Sequence, residues 1–390
     1  NNSAAQIVRR GEFIELMLLT LFGMFLMVSA RHFLVFIIGL ETASLPLAAL
    51  VAFDKKEYES HEAAVKYIFT AVFSSAIYML GLSFVYAMSG SLYFGDIAMR
   101  VTGSEGSFLI YVALAFVIAG IGFKISMVPF HLWTADVYQG APTSVTSYLS
   151  VVSKGAGAFA ALIILTQVFG AVYSQVWEWM LFILIVLTIT VGNLFAIRQN
   201  NLKRFLAFSS ISQAGYIMLG VAADASVGAA ALSYYVLVYI FSNLAAFGVI
   251  QAIENATGKV EISDYNGLYK TNPKLSFTMM LAMFSLGGIP PFAGFFSKFF
   301  IFSAALEQGT VAMYVLVFIA LLNTIVSLYY YLLVVKAMFI TPNDNPIERI
   351  KSHWSERVGM VVCVAGIILV GLVSAIYTFL NHASDASQMF

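Results

Sequence analysis

Charged residues are scarce in this chain. Only 20 lysines and arginines and 20 aspartates and glutamates occur among 390 residues, whereas hydrophobic residues make up 61%. Soluble domains carry about 25% charged and about 45–50% apolar residues. This composition excludes an ordinary soluble enzyme, a disordered chain and a nucleic-acid-binding protein. Because the strands of a membrane β-barrel give a much weaker apolar signal, the composition predicts an all-α, polytopic membrane protein.

Residues for cofactor chemistry are also scarce. Cys363 is the only cysteine, which excludes an intramolecular disulfide and a cysteine metal site. The five histidines are scattered, and the chain has no GxxxxGK[ST], GxGxxG, HExxH or CxxC motif. We therefore expect no nucleotide, flavin, haem, metal or iron–sulfur cluster in this chain. The polar N-terminal residues predict no signal peptide. Energy for transport must come from an ion gradient or another subunit.

Long apolar stretches dominate what is present. About 20 apolar residues span a bilayer, and the connections between the stretches are short. The eleven predicted spans are 12–30, 33–53, 63–88, 107–133, 143–169, 178–197, 204–222, 228–254, 274–307, 311–339 and 356–380. Alternation along these spans places only Arg31 and Arg100 on one face and all other basic loop residues on the opposite face. The positive-inside rule makes the basic face cytoplasmic and puts the C-terminus outside.

Four charged residues fall in the interior of predicted spans, away from the span ends: Glu41, Lys124, Lys154 and Lys298. A charge at mid-membrane costs at least about 2.5–3.5 kcal/mol, and such residues usually mark ion pathways. A purely structural ion pair is one alternative, and a lysine that snorkels to the interface is another. Four buried charges, three of them of one sign, favour a pathway. Acids of spans six to ten lie only at the span ends and none lies in the membrane interior, so we expect water beside Lys298.

The order of spans also predicts an inverted repeat. Spans one to five and six to ten start on opposite faces, and the fourth span of each group contains proline: Pro129 in the first, Pro290 and Pro291 in the second. Proline removes a backbone donor, and inverted repeats with broken helices build transport sites at the midplane. A kinked packing helix is the alternative. The predicted divisions are a first repeat, 1–169, a second repeat, 170–339, and an interfacial segment with the last span, 340–390.

Several polar residues near these charges are candidates for a proton relay. His131 lies beside the first proline and can exchange protons near neutral pH, although a structural histidine is an equal alternative. The other candidates, each with a structural alternative, are Ser153, Gln213, Asn243, Asn323 and Ser327.

Five sequence motifs occur along the chain. The longest is KISMVPFHLWTADVYQGAPTSVTSYLSVVSKGAGAF, at 124–159. The others are GEF at 11–13, GLETASLPL at 39–47, NLKRFLAFSSISQAGYIMLG at 201–220 and GGIPPFAGFFSKFFIF at 287–302. Together these motifs resemble those of the antiporter-like subunits of respiratory complex I. Lysine at 154, where the M and L types and Mrp antiporters usually carry histidine, is similar to the N type. The family usually has fourteen spans, and the resemblance implies that this sequence opens at the fourth.

The resemblance implies a proton path. Glu41 matches the family's membrane glutamate, Lys124 the lysine paired with it, Lys154 the central lysine and Lys298 the terminal lysine. Movement of Glu41 relative to Lys124 would change how firmly that lysine holds its proton. The resemblance further implies a bacterial inner membrane location. The implied partners are lipids, other antiporter-like subunits and the small K- and J-type subunits, with NADH, FMN, iron–sulfur clusters and quinone bound by partner subunits.

Three other functions stay open at the level of sequence. The chain could belong to a Mrp-type sodium/proton antiporter, although Lys154 disfavours this. It could be the N-like subunit of a photosynthetic relative of complex I, whose electron donor this sequence does not reveal. It could also be a scaffold subunit that does not pump, which the four buried charges disfavour.

Overall fold

The computed structural model describes residues 2–101, 108–170, 175–223, 225–373 and 375–387. Within these ranges the chain is helical, with isolated β-bridges but no strand. Contacts divide the chain into two units, Asn1–Leu181 and Phe182–Phe390. The predicted all-α, polytopic fold is confirmed. The inverted relation of the repeats, and the divisions at 169/170 and 339/340, stay predictions.

The first unit begins with two antiparallel membrane helices. Its helices are α1 Asn2–Ser29, α2 Phe33–Val51, α3 Tyr58–Ser89, α4 Phe94–Val101, α5 Phe108–Ile125, α6 Leu132–Gly140, α7 Thr143–Tyr148 and α8 Lys154–Ile163. Helix α1 packs along α2, and α3 along α5. A side chain at Gly23 or Gly39 would overlap the backbone of the opposite helix, so glycine permits this close approach of α1 and α2.

The second unit is built around a fully buried helix. Its helices are α9 Gln175–Ala196, which begins before the unit boundary, α10 Leu202–Ala222, α11 Ala225–Thr257, α12 Pro273–Gly287, α13 Ala293–Glu307, α14 Val311–Phe339, α15 Trp354–Leu372 and α16 Ala375–Ser387. Helix α10 is apolar on every side and is surrounded by protein, as such a helix must be. Its few polar side chains therefore lie in the interior of the unit, where they need partners.

Ten helical segments in the described residues are long and apolar enough to cross a membrane. They correspond to ten of the eleven predicted spans. The remaining span, 274–307, consists of α12 and α13, each 15 residues long and separated by residues 288–292. Two further boundaries differ from prediction. Helix α5 ends at Ile125, well before 133, and the last span ends as a helix at Leu372, with α16 starting at Ala375.

Candidate functional site

The first predicted helix break lies between α5 and α6. Helix α5 ends at Ile125, Ser126 has a positive φ of 69°, and the Val128–Pro129 peptide is cis. Residues 126–131 therefore leave the α-helical path at the predicted proline. The indole Nε1 of Trp133 donates to the carbonyl of Phe123 at 3.2 Å and ties α6 back to the end of α5. This geometry holds the last turn of α5 beside the break.

Lys124 lies in that last turn and is buried, with 4% of its surface exposed. Its Nζ donates to the Oγ of Ser44 on α2 at 3.1 Å. Glu41, one turn earlier on α2, is half-buried and acts electrostatically on Lys124. No ion pair within 4.0 Å joins the two in the described residues. The structure thus brings the predicted pair into one neighbourhood, with Ser44 as the direct contact of the lysine.

Two tyrosines near this pair were missed by sequence reasoning. Tyr67 on α3 is fully buried and lies close to both Ser44 and Glu41. Tyr78 is also buried, and its hydroxyl has no partner in the described residues. Tyr78 and Lys124 line a cavity of about 10 Å³, close to the least volume that holds one water molecule. Burial of tyrosine leaves no periodic signal in a helix that is apolar throughout, so the sequence did not single them out.

Lys154 is the first residue of α8 and is 2% exposed. It directly follows a π-helical segment, Leu149–Ser153, whose last residue is the buried Ser153. Short π segments inside α-helices occur frequently at functional sites. One turn further along α8, Gly157 packs against the Lys124 side chain, and a Cβ there would lie 3.2 Å from Lys124 Cγ. The glycine thereby lets α8, with Lys154, approach Lys124.

Lys298 lies on α13, next to the second break, and is 5% exposed. Its Nζ donates to the carbonyls of Leu286 at 3.0 Å and Gly287 at 3.2 Å, the last two residues of α12. It also lies 5.3 Å from the centroid of the Tyr216 ring. Carbonyls at a helix C-terminus lack intrahelical donors and carry partial negative charge. The expectation that water is the main partner of Lys298 was therefore incomplete, because the broken helix itself supplies acceptors.

The second break has its own internal bonds. Gly288 adopts a positive φ of 82°, and the Pro290–Pro291 peptide is cis. The Ser285 hydroxyl accepts a hydrogen bond from the Gly294 backbone N–H at 3.2 Å, which joins the end of α12 to the start of α13. Lys298 thus bonds across a break that the Ser285–Gly294 hydrogen bond also bridges.

Among the predicted relay residues, Gln213 is the one whose hydrogen bonds reach the surroundings of Lys298. Its Nε2 donates to the Tyr331 hydroxyl at 3.1 Å and to the Leu286 carbonyl at 3.4 Å, while the Tyr235 hydroxyl donates to its Oε1. The Tyr331 hydroxyl in turn lies 2.5 Å from Ser209 Oγ. Gln213 and Lys298 therefore share one acceptor, the Leu286 carbonyl.

The other relay candidates of the second unit lie elsewhere. Asn243 donates to the Tyr239 hydroxyl at 2.8 Å. Asn323 accepts from Asn193 at 3.2 Å, and Ser327 donates to the Thr324 carbonyl at 2.8 Å. None of these three hydrogen bonds involves Lys298.

His131 lies at the start of α6 and is half-buried. Its Nδ1 is buried and has no hydrogen-bond partner among the described residues. The predicted relay role of His131 therefore stays a prediction.

Comparisons with known proteins agree with this arrangement. Residues 30–324 match the family model described as NADH:quinone oxidoreductase/Mrp antiporter, transmembrane. The chain belongs to this family.

Curated relatives support the assignment. The chain is 59% identical to NADH-quinone oxidoreductase subunit N of Phocaeicola vulgatus over 96% of this chain and 78% of the relative. It is 56% identical to the same-named subunit of Azobacteroides pseudotrichonymphae over 98% of this chain and 79% of the relative. A solved structure of respiratory complex I from Thermus thermophilus with bound aureothin contains a chain with 35% identity and a TM-score of 0.80, covering 93% of this chain and 78% of that one.

These matches confirm the resemblance to antiporter-like subunits of the N type that the motifs indicate. The chain is a multi-pass membrane protein with the fold of a complex I subunit. Both curated relatives are named as quinone oxidoreductase subunits, which favours complex I over the Mrp alternative. The chain spans a little over three quarters of their length.

Proposed function

We propose that this chain translocates protons as a membrane-arm subunit of an NADH:quinone oxidoreductase of the complex I type. The observation that carries the proposal is the burial of Lys124, Lys154 and Lys298 in helices that are otherwise apolar. A buried ammonium is costly, and membrane proteins retain such groups where ions move. Lys124 and Lys298 each lie at a helix break, where polar backbone groups are available.

In this proposal the chain performs no redox chemistry. NADH, FMN, iron–sulfur clusters and quinone bind to partner subunits, and quinone reduction there shifts charge along the membrane arm. Other antiporter-like subunits, the small K- and J-type subunits and lipids surround the chain in a bacterial inner membrane. A shift of Glu41 relative to Lys124 would change the proton affinity of that lysine, and the released proton would move on through Lys154 and Lys298.

The decisive experiment uses the purified complex, reconstituted in vesicles, and measures protons moved per electron. Lys298→Arg is expected to lower this ratio, because a guanidinium does not give up its proton. Lys298→Ala is expected to lower it equally while the complex assembles. Lys336→Arg, an exposed position on α14, is the matched control and should leave the ratio unchanged.

A normal ratio in Lys298→Arg would contradict obligatory deprotonation at this site. The same vesicles, prepared with and without sodium, also test the antiporter alternative. Pumping that requires sodium would favour that alternative over a proton pump.

A further inference from the structure

The second unit contains a buried amide whose contacts converge on Lys298. Gln213 is 2% exposed and bonds through both ends of its side chain. Its Nε2 and the Lys298 ammonium donate to the same oxygen, the carbonyl of Leu286, at 3.4 and 3.0 Å. Any group at position 213 therefore acts on Lys298 over a short distance and inside a low-dielectric interior.

The first unit has a polar neighbourhood of its own around Lys124. Glu41 and Ser44 lie one turn apart on α2, and Tyr67 on the next long helix, α3, lies close to both. Lys124 donates to Ser44 and experiences the Glu41 charge. This neighbourhood therefore combines a carboxylate, a serine three residues later on the same helix, and a tyrosine from the following helix.

In the second unit, different side chains occupy the corresponding positions near Lys298. Gln213 and Tyr216 lie at the same three-residue spacing on α10, and Tyr235 comes from the following helix, α11. The Tyr235 hydroxyl donates to Gln213, and the Tyr216 ring faces Lys298 at 5.3 Å. The two units share the three-residue spacing and the tyrosine from the following helix, but Tyr216 stands where the first unit has Ser44. The difference in charge is that an amide stands where the first unit has a carboxylate.

This change leaves Lys298 without the nearby carboxylate that Lys124 has. Neither lysine has a carboxylate within ion-pair distance in the described part of the chain, but Glu41 acts electrostatically on Lys124 and no carboxylate there does so on Lys298. Its acceptors are two carbonyl oxygens and a ring face, which carry only partial charges. A full carboxylate favours the charged form of a lysine more strongly than such dipoles do.

We propose that Gln213 is a positioning residue that keeps the surroundings of Lys298 neutral, so that Lys298 gives up its proton more readily than Lys124 does. The inference rests on the proposed function and assigns unequal tasks to the two units. In the first unit, the movable negative charge of Glu41 stabilises the protonated form of Lys124. In the second unit, only fixed dipoles stabilise protonated Lys298, which passes its proton on and becomes a neutral amine.

The test replaces the amide with a carboxylate of the same shape. Gln213→Glu is expected to hold the proton on Lys298 and to lower the proton-to-electron ratio of the reconstituted complex to the level of Lys298→Ala. Gln308→Glu is the matched control: Gln308 lies in the same unit and also donates to a helix-end carbonyl, that of Ala222 at 2.6 Å. This control adds the same charge away from Lys298 and should leave the ratio unchanged.

Infrared spectroscopy measures the protonation state of a carboxyl group, which would not depend on Lys298 if Gln213 had a purely structural role. The carboxyl group introduced by Gln213→Glu should be ionised while Lys298 is present. It should become protonated in the double variant with Lys298→Met, because the counter-charge is then gone. An unchanged carboxyl signal in the double variant would overturn the inference.

The pumping results separate the two proposals. A normal ratio in Gln213→Glu together with a lowered ratio in Lys298→Ala overturns the inference and leaves the proposed function standing. Normal ratios in both variants overturn the proposed function. If Gln213→Glu prevents assembly, Gln213→Met tests the inference in its place, since this change removes the hydrogen bonds without adding charge. A ratio below half of the wild-type value in Gln213→Met would show that the bonds, and not the neutrality, matter.

Discussion

Lys124 and Lys298 are both buried lysines, but different acceptors hold their ammonium groups. Lys124 donates to a serine hydroxyl near a carboxylate, whereas Lys298 donates to two backbone carbonyls. The Ser44 hydroxyl donates to the Leu40 carbonyl at 2.7 Å and accepts from Lys124, and a neutral amine still has N–H groups to donate to it. A carbonyl only accepts, and a neutral amine still has two N–H groups to offer it. Both sites can therefore hold a lysine in either protonation state.

At this scale we predict that Glu41 and Lys124 act as a coupled pair. Glu41→Gln and Lys124→Met should each lower the proton-to-electron ratio, since either change removes the shift in proton affinity. The double variant should be no worse than the poorer single variant, because residues of one network are non-additive. A double-mutant cycle on assembled complex measures this. Strictly additive losses would mean that the two residues act independently.

The same residues show how far sequence reasoning extends. Charged residues are conspicuous in apolar spans, so Glu41 and the three lysines could be selected as candidates from their positions in the sequence. The carbonyl partners of Lys298 could not be predicted, because every residue carries a backbone carbonyl and only the fold selects two of them. Tyr67 and Tyr235 were missed for a related reason. They are two of 20 tyrosines, and nothing in the local sequence distinguishes a tyrosine beside a buried polar group from one that faces lipid.

At the scale of helices, the break between α12 and α13 is the element that positions Lys298. Gly288 has a φ of 82°, and a Cβ at this position would lie 3.1 Å from Lys298 Cδ. A non-glycine residue in the left-handed region costs about 1–2 kcal/mol. The glycine therefore serves two purposes, the turn of the backbone and the space for the lysine.

We predict that Gly288→Ala lowers both the thermal stability of the complex and its proton-to-electron ratio. Gly309→Ala is the control, since Gly309 also has a positive φ, 67°, but has no atom within 4 Å of the added methyl group. Both variants should lose stability through backbone strain, and only Gly288→Ala should lose pumping. Equal proton-to-electron ratios in the two variants would mean that the space which Gly288 leaves for Lys298 does not matter for pumping.

The ends of a helix were predictable only where the length of its apolar stretch matches the thickness of a bilayer. Ten predicted spans correspond to helices of membrane-crossing length, because a bilayer imposes that length on the chain. The internal ends of the broken helices were not predictable to the residue. Proline marks a break but does not fix which carbonyls the break exposes. The end of α15 at Leu372 has no proline, and Gly371 stands inside an apolar stretch, so the run to 380 was predicted as one continuous span.

At the scale of the whole molecule, the distribution of basic residues predicts which loops lie on each side of the membrane. The predicted cytoplasmic face includes the connection from α2 to α3, with Lys55, and the connection from α11 to α12, with Lys270. The opposite face has Arg100, on the short helix α4 between α3 and α5. All three side chains are exposed, whereas Lys203, another basic residue of the cytoplasmic face, is 5% exposed and bonds to Glu254. Lys203 is therefore unsuitable as a labelling position.

Because Cys363 is the only cysteine and is buried, a Cys363→Ala chain provides a cysteine-free background. In it we predict that Lys55→Cys and Lys270→Cys react with a membrane-impermeant thiol reagent only from the cytoplasmic side. Arg100→Cys should react only from the opposite side, because two membrane helices, α3 and α5, flank the connection that carries it. Right-side-out and inverted vesicles provide the two sides. Reaction of positions 55 and 100 from the same side would contradict the crossing of α3. Reaction of positions 55 and 270 from opposite sides would mean that one predicted span between them does not cross the membrane. The two groups of five spans would then no longer start on opposite faces, as the inverted repeat requires.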